Sequence, residues 1–283
     1  MDITGVGIVG SGIMGAGIAE VAAASGFEVV LRSRSAESAQ AMVVGVAKSL
    51  DRQVAKERRT AEEAAAIMAR ITATTDLADL AECDLVIESV IEDLEVKLAL
   101  FAELDELLKP DALIATNTST LPVVEMAAAT LRPSKVCGIH FFNPAPAMAL
   151  VEVVAPITAS DETVATALGF VAACGKEAVE VKDQAGFVVN ALLFPYLNNA
   201  VRLLEGSVAS KEGIDAAMEG GCNFPMGPLA LLDLVGLDTS LAILDALYAE
   251  FGDPNYRAVP LLRRMVASGK LGRKSGAGFY DYA

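Results

Sequence analysis

Apolar residues in this chain fall in short runs, separated by longer stretches with helical spacing. Gly5-Val6-Gly7-Ile8-Val9 is a run of strand length that ends at Gly10. From Gly12 to Ser25 the apolar positions Met14, Ile18 and Val21 recur at helical intervals and predict a helix. Gly26 stops it, and Phe27-Glu28-Val29-Val30-Leu31 reads as a second strand, completing a β-α-β unit. Residues 36–58 and 60–70 read as helices. The apolar runs at 85–87, 113–115, 136–139 and 150–153 read as strands, alternating with helical stretches at 94–108, 122–129 and 160–174. That alternation predicts an α/β fold, a largely parallel sheet covered on both faces. From Gly186 onward the pattern is helical almost throughout: 186–205, 210–219, 227–234, 237–250 and 258–268. Gly220-Gly221 and Pro225-Met226-Gly227-Pro228 break it. The change of character near Asp183 divides the chain into an expected α/β domain over 1–184 and an all-α domain over 185–283.

Composition narrows the classes. The 283 residues are 53% hydrophobic, enough for two domains with their own cores. Acids outnumber bases 37 to 22, a formal net charge of -15, which opposes non-specific nucleic-acid binding but leaves room for a local basic pocket. Cys83, Cys137, Cys174 and Cys222 are widely spaced with no CxxC pair. This argues against a disulfide framework or a zinc knuckle and for reduced, mostly buried thiols; no metal is expected. The first residues show no basic region followed by an apolar stretch, and no apolar run approaches the ~18 residues of a membrane span. A cytoplasmic protein without membrane attachment is the expectation.

Gly10-Ser11-Gly12-Ile13-Met14-Gly15 fits G-x-G-x-x-G between a predicted strand and helix, with a second strand within thirty residues. In that setting Gly10 permits the tight turn, Gly12 lets backbone approach a pyrophosphate, and Gly15 lets the helix lie against the strand. The N–H groups at the helix start then receive the anion. The plain alternative is a glycine-rich turn that only packs a helix on a sheet. The end of the second strand reads Leu31-Arg32-Ser33-Arg34-Ser35. NAD sites usually carry Asp or Glu there for the ribose 2′-OH. Here Arg32 and Arg34 flank Ser33, so a 2′-phosphate meets positive charge and no acid, which predicts a preference for NADP(H), with NAD possible. The alternative is solvated surface arginines and NAD bound without its acidic contact.

His140 is the one histidine in the chain. It follows a predicted strand, at the sheet edge where open α/β folds bind ligands. Glu152 lies inside the next apolar run, where a buried acid needs a reason. If these strands are neighbours, the carboxylate reaches the imidazole, orients it and stabilises its protonated form, an arrangement suited to acid–base work. Asn117-Thr118-Ser119-Thr120, after the strand at 112–116, can bind a substrate oxygen or simply cap the next helix.

These residues resemble the short-chain L-3-hydroxyacyl-CoA dehydrogenase family over essentially the whole chain. The likeness runs through Gly10–Gly15, Asn117-Thr118-Ser119, His140-Phe141-Phe142-Asn143-Pro144 and Leu150-Val151-Glu152-Val153. It continues through Gly186-Phe187-Val188-Val189-Asn190, Pro225-Met226-Gly227-Pro228 and Leu271-Gly272-Arg273-Lys274-Ser275-Gly276. The resemblance implies a Rossmann-type domain followed by a helical domain, and hydride transfer at C3 of a short 3-hydroxyacyl-CoA, acetoacetyl-CoA to (S)-3-hydroxybutyryl-CoA in reduction. It implies His140 as acid/base with Glu152 as its partner, and Ser119 and Asn190 at the reacting oxygen and acyl group. Glu92, Lys97, Asn117, Asn143 and Lys274 are implied near the dinucleotide, and Ser49 and Lys56, on the basic helix, near coenzyme A. Departures are Ser33 for the family's usual acid, Thr120 for a serine, Ala185 for a proline and Phe224 for a histidine. The helical half is expected to supply Asn190, close the cleft and pair two copies into a homodimer. Competing readings are a dehydrogenase of carrier-protein-bound hydroxyacyl groups and a non-catalytic dinucleotide-binding protein.

Overall fold

A computed structural model of the chain describes residues 2–282, which form two compact units that divide after Asp183. The first unit runs β1 (Gly5–Val9), α1 (Ile13–Ala24), β2 (Glu28–Arg32), α2 (Ala36–Ala55), α3 (Ala61–Ala69), β3 (Ile71–Thr74) and β4 (Leu85–Glu88). It continues with α4 (Leu94–Leu107), β5 (Leu113–Thr116), α5 (Val123–Ala128), β6 (Val136–Phe141), β7 (Leu150–Ala155), α6 (Asp161–Ala173) and β8 (Glu177–Lys182). Among the described residues the strands make one sheet in the order β3-β2-β1-β4-β5-β6-β7-β8. Every neighbouring pair is parallel except β6 and β7. The chain reverses its direction of travel across the sheet between β1 and β4, so the carboxyl ends of β1, β2, β4, β5 and β6 form one ligand-facing edge. The antiparallel β7 brings its amino end to that same edge.

The largely parallel sheet matches the sequence pattern, with three differences. β3 and β8 are the two edges of the sheet and were not visible as strands: Ile71-Thr72-Ala73-Thr74 has one strong apolar residue, and β8 carries the exposed charged residues Glu177, Glu180 and Lys182 on its two faces. β6 continues through His140 to Phe141, so the histidine lies within the strand, not after it. α2 stops at Ala55, three residues early, where Lys56 and the positive-φ Glu57 end the helix.

Local chemistry explains the helix starts. Ser35, Asp93 and Ser160 accept the N3 backbone N–H of α2, α4 and α6, and Thr60 with Glu63 forms a capping box on α3. The core packs Ile8, Leu31, Leu85 and Ile87 of the sheet with Ile18, Met42 and Leu50 of the helices. Asp84 fastens the start of β1 by accepting from the N–H groups of Thr4 and Gly5 at 2.7 and 2.9 Å. Burial pushes its carboxyl up, but hydrogen bonds from Gly5, Lys109 and Thr4 outweigh this and hold it below the usual carboxylate range. Burial pushes the thiols of Cys83 and Cys174 up to about 11 and that of Cys137 to about 12, while Cys222 is exposed.

The second unit contains α7 (Val189–Glu205), α8 (Lys211–Cys222), α9 (Pro228–Val235), α10 (Leu237–Phe251) and α11 (Pro260–Ala267). Phe194, Leu197, Leu229, Leu232, Leu244, Leu247 and Leu262 make its core. Asp233, buried in α9, secures the last residues by accepting the N–H groups of Phe279 and Tyr280, both at 2.9 Å, and the hydroxyl of Tyr282 at 3.1 Å. Asp215 accepts the N–H groups that open α9, from Leu229 and Ala230, and the Tyr280 hydroxyl. No helix among the described residues is long and apolar enough to cross a membrane.

Candidate active site

The glycine loop leaves the carboxyl end of β1 and enters α1. Gly10 has φ 144°, and a Cβ there would sit 2.1 Å from the Ser89 carbonyl oxygen, so no other residue fits. A Cβ on Gly15 would lie 2.5 Å from the Gly10 carbonyl oxygen, which keeps helix and strand at bare-backbone distance. Gly12, the N-cap, has open space where a Cβ would project. α1 has neither a side-chain cap nor an acidic residue in its first turn, so its leading N–H groups remain for an anion. Ser11 and Ile13 are exposed beside them and Met14 is half-buried.

A cavity of about 610 Å³ extends from this loop along the ends of β2 and β4, lined among others by Gly10, Gly12, Arg32, Ser33, Arg34 and Glu103. Ser33 is buried and its hydroxyl bonds that of Ser38, while Arg34 is exposed. Arg32 carries a buried Nε with no hydrogen-bond partner among the described residues. Open space over Gly12, free helix-terminal donors and an unsatisfied guanidinium nitrogen fit a dinucleotide phosphate group.

Farther along the edge, the register of β6 and β7 sets His140 directly opposite Glu152. The Glu152 Oε2 lies 2.7 Å from His140 Nδ1, with both residues buried. Ser119 Oγ lies 3.3 Å from the other ring nitrogen, Nε2. Asn117 Oδ1 accepts the Phe141 N–H at 2.8 Å and ties the end of β6 to the turn after β5. The Phe142 ring packs on the imidazole with centroids 4.5 Å apart. Behind Ser119, its backbone N–H donates to Glu92 Oε1 at 2.9 Å.

The remaining sequence candidates are spread out. Ser49 and Asn143 line a cavity of about 190 Å³ with Gly17, Glu20 and Arg52, whereas Lys56 ends α2 on the surface. Lys97, expected at the dinucleotide, is buried, with its ammonium taken by Glu88 and Glu92. Asn190 and Lys274 belong to the second unit. Asn190 is buried in the first turn of α7, and Lys274 Nζ lies 2.7 Å from Asp238 Oδ2. Burial raises the Asp238 carboxyl, but that ammonium and the Thr239 N–H bring it below its ordinary value. Sequence reasoning missed Glu88, Thr116 and Lys176, which holds the carbonyls of Ala145, Pro146 and Met148 in the turn after Asn143. Glu88 carries a signal related to that of Glu152, an acid directly after the apolar run Leu85-Val86-Ile87, where Glu152 lies inside its run.

A glycine loop at a switch point, together with a histidine–carboxylate pair on the same sheet edge, defines a nicotinamide-dinucleotide dehydrogenase. Residues 5–184 match the NAD binding domain of 3-hydroxyacyl-CoA dehydrogenase, and residues 186–282 match that family's C-terminal domain. The chain is 46% identical over 283 residues to a 3-hydroxybutyryl-CoA dehydrogenase of Mycobacterium tuberculosis, covering 98% of each chain. It is 46% identical over 265 residues to one from Clostridioides difficile, covering 94% of each. The crystal structure of (S)-3-hydroxybutyryl-CoA dehydrogenase from Ralstonia eutropha matches with a TM-score of 0.97 at 44% identity, covering all of both chains. The chain belongs to the 3-hydroxyacyl-CoA dehydrogenase family, and it is an oxidoreductase that works with a nicotinamide dinucleotide.

Proposed function

We propose that the chain interconverts a short (S)-3-hydroxyacyl-CoA and its 3-oxoacyl-CoA, with 3-hydroxybutyryl-CoA and acetoacetyl-CoA as the pair and NADP(H) as the preferred dinucleotide. The observation that carries this reading is the His140–Glu152 pair with Ser119 beside the second ring nitrogen. The activity in the names of the relatives supports the short acyl group. The dinucleotide is held by the Gly10–Gly15 loop, with Arg32, Ser33 and Arg34 toward the adenosine ribose. Glu92, Asn117, Asn143 and Lys274 hold the nicotinamide half. Ser49 and Lys56 meet coenzyme A. Residues 1–184 form the dinucleotide domain; residues 185–283 supply Asn190 and the faces that pair two copies.

Each residue's part follows from ordinary acid–base chemistry. Glu152 accepts a hydrogen bond from Nδ1–H, which leaves the lone pair on Nε2, the nitrogen nearest Ser119. In oxidation Nε2 takes the proton of the C3 hydroxyl, and the Glu152 carboxylate stabilises the imidazolium. In reduction that imidazolium returns the proton to the oxygen at C3. Ser119 and Asn190 hydrogen-bond this oxygen and the acyl carbonyl and fix the distance to Nε2. Bound nicotinamide supplies C4 as hydride acceptor or donor.

A 2′-phosphate gains charge-assisted bonds from Arg32 and Arg34, interactions worth ~1.5–3 kcal/mol each, and finds no acid at the end of β2. The test is steady-state kinetics with NADH and NADPH against acetoacetyl-CoA and a medium-chain 3-oxoacyl-CoA. The expected outcome is a kcat/KM about tenfold or more higher with NADPH, and higher for acetoacetyl-CoA than for the longer substrate. A higher kcat/KM with NADH overturns the cofactor assignment, and absence of turnover with any acyl-CoA overturns the activity.

A further inference from the structure

One buried acid of the first unit has no part in the chemistry above. Glu20, in α1, is 4% exposed, yet it forms no ion pair among the described residues. Its one hydrogen-bond donor among those residues is Gln53 Nε2, 2.7 Å from Glu20 Oε1. Arg59 Nε donates to Gln53 Oε1 at 3.0 Å and so fixes which side of that amide turns toward Glu20. A carboxylate accepts through both oxygens, and one this far from water costs free energy until further donors meet it.

Glu20 lines the cavity of about 190 Å³ between α1, α2 and the turn at 143–146, which it shares with Ser49, Arg52 and Asn143. Much of the remaining wall is apolar, from Ala16, Val46 and Pro144. Gly45, inside α2, borders the same space, and a Cβ there would meet no atom within 4 Å. Glycine is a poor residue inside a helix, and no neighbour demands it at this place, so its bare backbone leaves room in the cavity. Charge and shape then select the occupant. The carboxylate repels phosphate groups, which keeps the pyrophosphates of the dinucleotide and of coenzyme A elsewhere. An apolar groove with a buried acceptor suits an amide N–H on an otherwise aliphatic chain. The pantetheine arm of coenzyme A is such a chain, with two amides separated by methylene groups and a dimethyl carbon.

We infer that Glu20 is a substrate-binding residue whose carboxylate accepts a hydrogen bond from an amide N–H of the pantetheine arm, while Gln53, held by Arg59, keeps it aimed into the cavity. The inference rests on the reading of the substrate as an acyl-CoA that meets Ser49 on α2. The test compares the purified enzyme with Glu20→Gln and Glu20→Met. It reads kcat, KM for acetoacetyl-CoA, KM for the dinucleotide, and kcat/KM for acetoacetyl-pantetheine, which has the arm without the nucleotide. In Glu20→Gln the new amide keeps its oxygen on Gln53, because Arg59 fixes that partner, and turns an NH₂ group toward the incoming N–H. KM for acetoacetyl-CoA is expected to rise about tenfold or more, the range for a hydrogen bond to a charged group. The kcat/KM for acetoacetyl-pantetheine is expected to fall by the same factor, with kcat for acetoacetyl-CoA and KM for the dinucleotide unchanged. Glu20→Met, similar in size and without an acceptor, is expected to give the same result and decides the matter should Glu20→Gln not fold. Unchanged constants in a folded variant show that Glu20 serves packing alone and overturn the inference. A raised dinucleotide KM makes Glu20 a support of the glycine loop or a nicotinamide contact and overturns it as well. A raised KM for acetoacetyl-CoA with acetoacetyl-pantetheine unaffected puts the contact at the nucleotide and has the same consequence. Absence of acetoacetyl-CoA turnover in the wild type refutes the acyl-CoA reading itself, an outcome read without either variant.

Discussion

Replacing His140 by alanine is expected to lower kcat for acetoacetyl-CoA reduction by about 10²–10⁴-fold, the usual contribution of a positioned acid–base group. The dinucleotide still binds, because the glycine loop, Arg32 and Arg34 stand on β1, α1 and the end of β2, away from the β6–β7 ladder. The backbone of β6 keeps its partners on both sides, with Gly138 shared between the two ladders, so alanine is accommodated in the strand. Glu152→Gln is expected to fall between wild type and His140→Ala: the amide oxygen still accepts from Nδ1, but the imidazolium loses its counter-charge. Nicotinamide absorbance gives the turnover, and fluorescence titration of the dinucleotide confirms the intact site. Near-normal turnover in folded His140→Ala removes the ring from the chemistry.

The largest loss of stability is expected at Asp233, far along the chain from the chemistry. Its carboxylate takes two backbone N–H groups and one phenol hydroxyl from the last residues of the chain. The backbone there is packed so closely that a Cβ on Gly278 would lie 2.0 Å from Asp233 Oδ1, and one on Gly272 2.3 Å from the Asp233 carbonyl oxygen. Asp233→Ala leaves those donors without their acceptor at a cost of about 1–3 kcal/mol each where they are buried, roughly 3 kcal/mol or more together. Asp233→Asn retains one acceptor oxygen and is expected to lose less. Urea unfolding midpoints at constant m-value measure both. A change under about 0.5 kcal/mol in Asp233→Ala shows that the terminal residues are held by other contacts.

How far the sequence spoke for the structure depended on where each residue's partners lie. β1, α1 and β2 were readable because their apolar spacing and their glycines are local signals. β3 and β8 were not, since an edge strand needs little apolar surface and Glu177, Glu180 and Lys182 dilute the pattern. The apolar run of β6 stops at Ile139 because the polar His140 interrupts it, although the strand continues to Phe141. In the sheet that interruption is matched by Glu152 on the facing strand, so two polar residues occupy one paired position. Of the candidate site, the glycine loop and the His140–Glu152 pair were legible, the latter because both residues are out of place in apolar strands. The Glu88–Lys97 pair was overlooked, although Lys97 heads the inward stripe of α4 that continues with Leu100, Phe101 and Leu104. A lysine at i with apolar residues at i+3, i+4 and i+7 is a buried cation, and its acid is found only once β4 is laid beside α4.

The central claim is that Glu152 holds the His140 ring with its proton on Nδ1 and its lone pair toward Ser119. Because the chain has a single histidine, ¹⁵N-labelled histidine yields one imidazole to observe. At a pH where the ring is neutral, long-range ¹H–¹⁵N correlation spectra are predicted to show the Nδ1–H tautomer. An Nε2–H tautomer in the unmodified protein would leave the nitrogen beside Ser119 unable to accept a proton and contradict the account.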